Sequence, residues 1–104
     1  MKRGEIWWAD LGPVAGRRPV LLLSRDEAYS VRELITVAPA TTRVRHIPSE
    51  VALNADDGLP KPCVINLDTI TTIAKTSLRE NLTTLSPEKL SAVTIALHFA
   101  LGLE

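Results

Sequence analysis

Hydrophobic patterning divides the chain into two regimes. From residue 4 to about residue 83, short apolar runs are broken by turn residues, whereas residues 87–101 carry one helical pattern. In Glu5–Leu11, Ile6 and Trp8 alternate with Trp7, as a strand with two dressed faces requires. Gly12-Pro13 ends that run. Val20–Ser24 is apolar almost throughout, which predicts a central strand buried on both sides. Asp26–Glu33 is a polar connection with room for one helical turn. Leu34–Ala38 predicts the next strand, and Pro39, which has no N–H for a ladder, predicts its end. Glu50–Leu53, Cys63–Asp68 and Ile70–Ala74 with Leu78 complete the β region, and the Asp-Gly pair at 57–58 marks a turn. Short strands at this spacing suggest a compact barrel or sandwich.

The helix has clear ends. Ser86 is a good N-cap, Pro87 suits the first helical position, and Glu88 lies where the helix dipole favours an acid. Gly102 suits the residue just past the end. Leu90, Val93, Leu97, Ala100 and Leu101 form one apolar stripe, while Ala92, Ile95 and Phe99 form another on the opposite side. Only Ser91, Thr94 and His98 make a polar strip. A helix apolar nearly all round is buried on more than one side. One sheet covers one side, so the other is expected to meet a second subunit; the alternative is a loop folded over Ile95 and Phe99.

Composition narrows the classes. The chain has 104 residues, of which 45% are hydrophobic. That predicts one domain over residues 1–104 with enough apolar surface for a core. Cys63, the single cysteine, excludes an internal disulfide and a cysteine-rich zinc site. His46 and His98 have no partners at ligand spacing, so no metal and no cofactor are expected. No apolar stretch approaches a membrane span, and the cytoplasm is the expected compartment. The net charge is zero, yet residues 1–46 hold eight Lys and Arg against five acids, and residues 47–104 hold four against seven. The neutral total therefore hides a basic first half.

The candidate chemistry sits in that half. Arg17 and Arg18 are expected just before the buried strand, and Thr41, Thr42, Arg43, Arg45 and His46 just after the next. Arginine suits bidentate phosphate contacts, and strand ends are where a rigid scaffold presents reactive groups. For a lone arginine, ordinary surface charge is the better reading; several arginines with two hydroxyls are less easily dismissed. Trp7 and Trp8 could stack bases or fill a core. Cys63 reads as a small core residue.

Taken in order, the segments Arg3-Gly4-Glu5-Ile6-Trp7-Trp8-Ala9-Asp10-Leu11, Arg18-Pro19-Val20-Leu21-Leu22-Leu23-Ser24, Val37-Ala38-Pro39-Ala40-Thr41-Thr42, Ile47-Pro48-Ser49-Glu50-Val51-Ala52-Leu53, Asp57-Gly58-Leu59, Cys63-Val64-Ile65-Asn66-Leu67-Asp68 and Leu85-Ser86-Pro87-Glu88-Lys89-Leu90 resemble the MazF/PemK-like toxins of bacterial toxin–antitoxin modules. The resemblance implies a mainly β, α+β chain: a small SH3-like or CcdB-like β-barrel with a C-terminal helix, working as a homodimer. It implies a metal-independent endoribonuclease that cuts single-stranded RNA and is neutralised by a cognate MazE-type antitoxin. Arg18 and Thr41 match the family's catalytic arginine and threonine. Thr42 and Arg43 would line the same pocket, with Arg17 beside them and Asp68 as a further RNA contact. Asn66 stands where members that use the acid carry an arginine, and the loop before Arg18 lacks a family glutamate. A rival reading is a non-catalytic module on the same barrel, either a gyrase-poisoning CcdB-like toxin or an SH3-like adaptor; the Arg18 and Thr41 pair is what such a module does not need.

Overall fold

The computed structural model describes residues 1–103. Seven strands form an antiparallel sheet: β1 (Glu5–Asp10), β2 (Arg17–Leu22), β3 (Leu34–Thr41), β4 (Glu50–Leu53), β5 (Cys63–Asn66), β6 (Thr71–Ala74) and β7 (Leu78–Thr84). Their order is β4-β5-β3-β2-β1-β7, with β6 also paired to β3. Two single helical turns, α1 (Gly12–Ala15) and α2 (Ala28–Val31), lie in connections, and α3 (Pro87–Leu101) follows the last strand. The mainly β architecture with a C-terminal helix is as the sequence predicts.

The continuous apolar run of β2 does what its pattern demands. Val20 and Leu22 face one core with Ala9, Tyr29, Ile35, Val37 and Leu78. Leu21 faces the other, with Ile6, Ala38, Ile65 and Leu67 beneath Val93 and Ala96 of α3. All three β2 residues are fully buried, so successive side chains of one strand serve two cores.

The boundaries of β2, β3 and β5 differ from expectation, and β7 extends beyond Leu78 to Thr84. Strand β2 begins at Arg17 rather than Val20, so both arginines belong to the strand, opposite Asp10 and Ala9 of β1. Strand β3 runs through Pro39 to Thr41 instead of stopping. Its pairing with β6 ends at Val37 and its pairing with β5 starts at Ala40, so the proline falls where the edge changes partner. Leu23 N–H donates to Thr36 O at 3.0 Å; alternation then makes Pro39, opposite Val20, a pair without mutual hydrogen bonds, and no donor is missed on that side. Strand β5 stops at Asn66, whose side chain accepts from Asp68 N–H and bends the chain into the 3₁₀ turn Leu67–Thr69.

Helix α3 has the expected bounds. Ser86 Oγ accepts from Lys89 N–H, and Gly102, at φ 68°, donates to the His98 and Phe99 carbonyls, closing the C-terminus with a left-handed residue. Val93 and Ala96 are buried, and Leu90, Ala92, Leu97 and Ala100 pack against the same core. Ala92 therefore belongs to the inward side, whereas Leu101, expected there, is 51% exposed. Ile95 and Phe99 are 72% and 56% exposed; no loop among the described residues covers them. No helix among the described residues is long and apolar enough to cross a membrane.

Candidate nucleic-acid cleavage site

A cleft of about 280 Å³ opens where β1, β2, β3 and the chain before β5 converge. Arg17, Arg18 and Pro19 of β2, with Trp8 of β1, line it beside Ala40, Thr41 and Thr42. Leu59, Pro60, Lys61 and Cys63 complete the lining. The sheet explains the convergence. Arg18 lies opposite Ala9 in β1, next to Trp8, and Pro39 lies opposite Val20 in β3. Thr41 lies opposite Val64 in β5, next to Cys63. Two register shifts of β1 against β7 bracket Trp7 and Trp8; such irregularities re-aim side chains. Trp7 packs on the core around Val20 and donates its indole N–H to Glu5 at 2.8 Å, while Trp8 is left to the cleft.

Arg18 is held from one end only. Its Nη2 donates to Ala15 O at 3.2 Å, and its Nε is buried without a hydrogen-bond partner. A buried donor left unpaired costs about 1–3 kcal/mol, and such a group calls for an explanation in function or bound solvent. Arg17 is more exposed. Its guanidinium lies 5.4 Å from the centre of the Trp8 ring and pairs with Glu80 Oε1 at 2.9 Å. Thr41 Oγ1 accepts the backbone N–H of Arg43 at 3.1 Å, which leaves its own proton free to donate. Burial pushes the Cys63 thiol above its ordinary value, so the sulfur at this edge is a neutral thiol rather than a nucleophilic thiolate.

Of the residues singled out from sequence, Arg17, Arg18, Thr41 and Thr42 come together. Arg43 is exposed on the loop that leaves the cleft and does not line it. Asp68 is elsewhere. The cleft meets β5 at Cys63, whereas Asp68 follows Asn66 at the strand's other end. There it accepts a short hydrogen bond from the buried Ser49 hydroxyl. His46 is also outside the lining. Lys61 is the residue that sequence reasoning missed. Its signal was its setting, Pro60-Lys61-Pro62, where flanking prolines restrict a short loop. Gly58 anchors that loop at φ 94°, and a Cβ there would lie 2.5 Å from Thr83 Oγ1. The lining thus holds three cations and two hydroxyls, and neither a carboxylate nor an imidazole. Among the described residues, no three His, Cys, Asp or Glu side chains are grouped to hold a metal ion.

A cationic cleft with two hydroxyls in its lining suits a phosphodiester, and comparison with known proteins points the same way. The profile of the PemK-like, MazF-like toxins of type II toxin–antitoxin systems matches residues 2–101. The chain belongs to this family. It is 37% identical over 99 residues to the probable endoribonuclease MazF5 of Mycobacterium tuberculosis, covering 94% of this chain and 90% of that one. It is 36% identical over 111 residues to the endoribonuclease MazF of Staphylococcus saprophyticus, covering 99% and 92%. Among solved structures, the Mycobacterium tuberculosis toxin MazF-mt6 superposes with a TM-score of 0.89 at 33% identity over 96% of this chain and 98% of that one. A mycobacterial endoribonuclease in complex with its cognate antitoxin gives 0.88 at 31% identity, over 100% and 97%. The MazF-like fold is therefore shared over essentially the whole of both chains.

Proposed function

We propose that this MazF-like toxin is an endoribonuclease that cuts single-stranded RNA at the Arg18–Thr41 cleft. The observation that carries the reading is the Arg18 guanidinium, with Nε buried and unpartnered, in a lining that contains cations and a free hydroxyl donor but no acid. RNA brings its own nucleophile. The 2′-oxygen attacks the adjacent phosphorus, the new O2′–P bond forms, and the P–O5′ bond breaks. Arg18 donates to the non-bridging oxygens as they gain charge, the electrostatic role usually worth most. Thr41 donates its hydroxyl to the same phosphate and holds it in line. Arg17, Lys61 and Thr42 hold the strand on either side. Neither His46 nor Asp68 lines the cleft; in this reading water takes the 2′-OH proton and solvent protonates the departing 5′-oxygen. The products are a 2′,3′-cyclic phosphate and a 5′-hydroxyl.

The working unit in this reading is a homodimer joined in part through the outer face of α3, where Ile95 and Phe99 are uncovered. A MazE-type antitoxin neutralises it in the cytoplasm, as the antitoxin complex of the mycobacterial relative suggests by analogy. The test is incubation of the purified protein with mixed-sequence synthetic RNA in EDTA, followed by end analysis of the fragments. Fragments with 5′-hydroxyl ends support the reading. Intact RNA together with inhibition of DNA gyrase would replace it with the CcdB-like alternative.

A further inference from the structure

Strands β3 and β4 both pair antiparallel with β5, on its two sides. The connection between them, residues 42–49, therefore crosses β5, starting at the cleft beside Cys63 and ending where Glu50 faces Asn66. Residues 42–48 are all exposed, so burial does not hold this segment. Hydrogen bonds do. At the cleft end, Thr41 Oγ1 takes Arg43 N–H. At the other end, Glu50 Oε1 takes both Arg45 N–H and His46 N–H at 3.0 Å, and Oε2 also lies 3.3 Å from Arg45 N.

Two successive N–H groups converging on one anion form a nest, and here the anion is the chain's own carboxylate. The arrangement is strained. His46 has φ 57°, the one non-glycine residue at positive φ among the described residues, a conformation that persists only where its surroundings enforce it. The same contacts use the Glu50 charge on backbone N–H groups. Among the described residues, neither Arg43 nor Arg45 enters an ion pair, so the exposed loop that leaves Thr41 carries two unpaired guanidinium groups.

We infer that Glu50 is a positioning residue for RNA recognition: its carboxylate, seated in the Arg45–His46 nest, fixes the crossing loop that presents Arg43 and Arg45 to the strand entering the cleft. This rests on the reading of the cleft as an RNA cleavage site. Glu50 is not among the residues that line the cleft. Its loss should change how RNA is held and where it is cut, and leave the bond-breaking step nearly as fast.

The test measures steady-state cleavage of a labelled mixed-sequence RNA by the full chain and by Glu50→Ala and Glu50→Gln, with thermal unfolding followed in parallel. Glu50→Ala should raise KM about tenfold, change kcat less than threefold, and broaden the set of cut sequences. Glu50→Gln keeps an acceptor oxygen for the nest and should recover most of the KM. If Glu50→Ala unfolds, Glu50→Gln is compared with and without Arg43→Ala/Arg45→Ala. Its residual effect should vanish once the arginines are gone. Unchanged KM in folded Glu50→Ala, a fall confined to kcat, or a Glu50→Gln effect that persists without the arginines would overturn the inference. An inactive, folded wild type would instead overturn the cleavage reading on which it rests.

Discussion

The two ends of β5 treat polar groups in opposite ways. At the Asn66 end they satisfy one another. The Ser49 hydroxyl donates to Asp68, Asn66 accepts from Asp68 N–H, and Glu50 occupies its nest. At the Cys63 end, Arg18 Nε has no partner, the Thr41 proton is free, and Lys61 is in no ion pair among the described residues. A protein can complete its hydrogen bonds anywhere that only folding matters. Where they stay incomplete on a rigid strand, the missing partner is expected from outside. On the proposed function, the contrast assigns positioning to one end and chemistry to the other.

The sharpest attempt to break this contrast is Arg18→Ala. On the scale of losing a principal transition-state donor, cleavage should fall about 10²–10³-fold with folding retained, read from RNA turnover beside circular dichroism. Arg18→Lys should remain poor, because a point charge cannot replace a planar fork. Thr41→Ala should come next, with kcat reduced about tenfold or more and RNA affinity little changed, in the range expected for lost positioning. Lys61→Gln should raise KM a few-fold. It should also flatten the slope of log affinity against log salt by about 0.7, the share of one phosphate contact on a single strand. Asp68→Asn should have the smallest kinetic effect, within about threefold, with a loss of about 1 kcal/mol in urea unfolding from the weakened Ser49 hydrogen bond. A large kinetic loss there, with stability intact, would mean that the far end also takes part in chemistry.

How much of this was legible in the sequence depends on whether the signal is local. Helix α3 was readable to the residue because Ser86, Pro87 and Gly102 mark its ends within their own turns. The double burial of Val20–Leu22 was readable from an unbroken apolar run. Strand β7 was not readable in full. It pairs only with β1, and Arg79, Glu80 and Asn81 are exposed, so alternation is lost where charges blunt an edge. Pro39 misled because its missing donor matters only when a partner waits, and pairing on that edge is a tertiary fact. Arg17, Arg18, Thr41 and Thr42 were found from their strand-end setting and family motif. Lys61 was missed because it joins the cleft through a loop. Asp68 does not line the cleft with the others, because a motif carries residue identity but not the end of the strand at which it lies.

The double burial of β2 has a further consequence. The wall that carries Arg18 continues into a strand clamped from both faces, whose amides should be among the last to exchange with solvent. The facing wall is completed by loop residues Thr42, Leu59, Pro60 and Lys61, and the exposed segment 43–48 leaves from its rim. The cleft is therefore a vice with one fixed jaw and one adjustable jaw. On the proposed function, sequence change in the adjustable jaw can redirect which RNA is cut while the fixed jaw keeps Arg18 in place, and cleavage specificity can drift without the fold having to be re-solved.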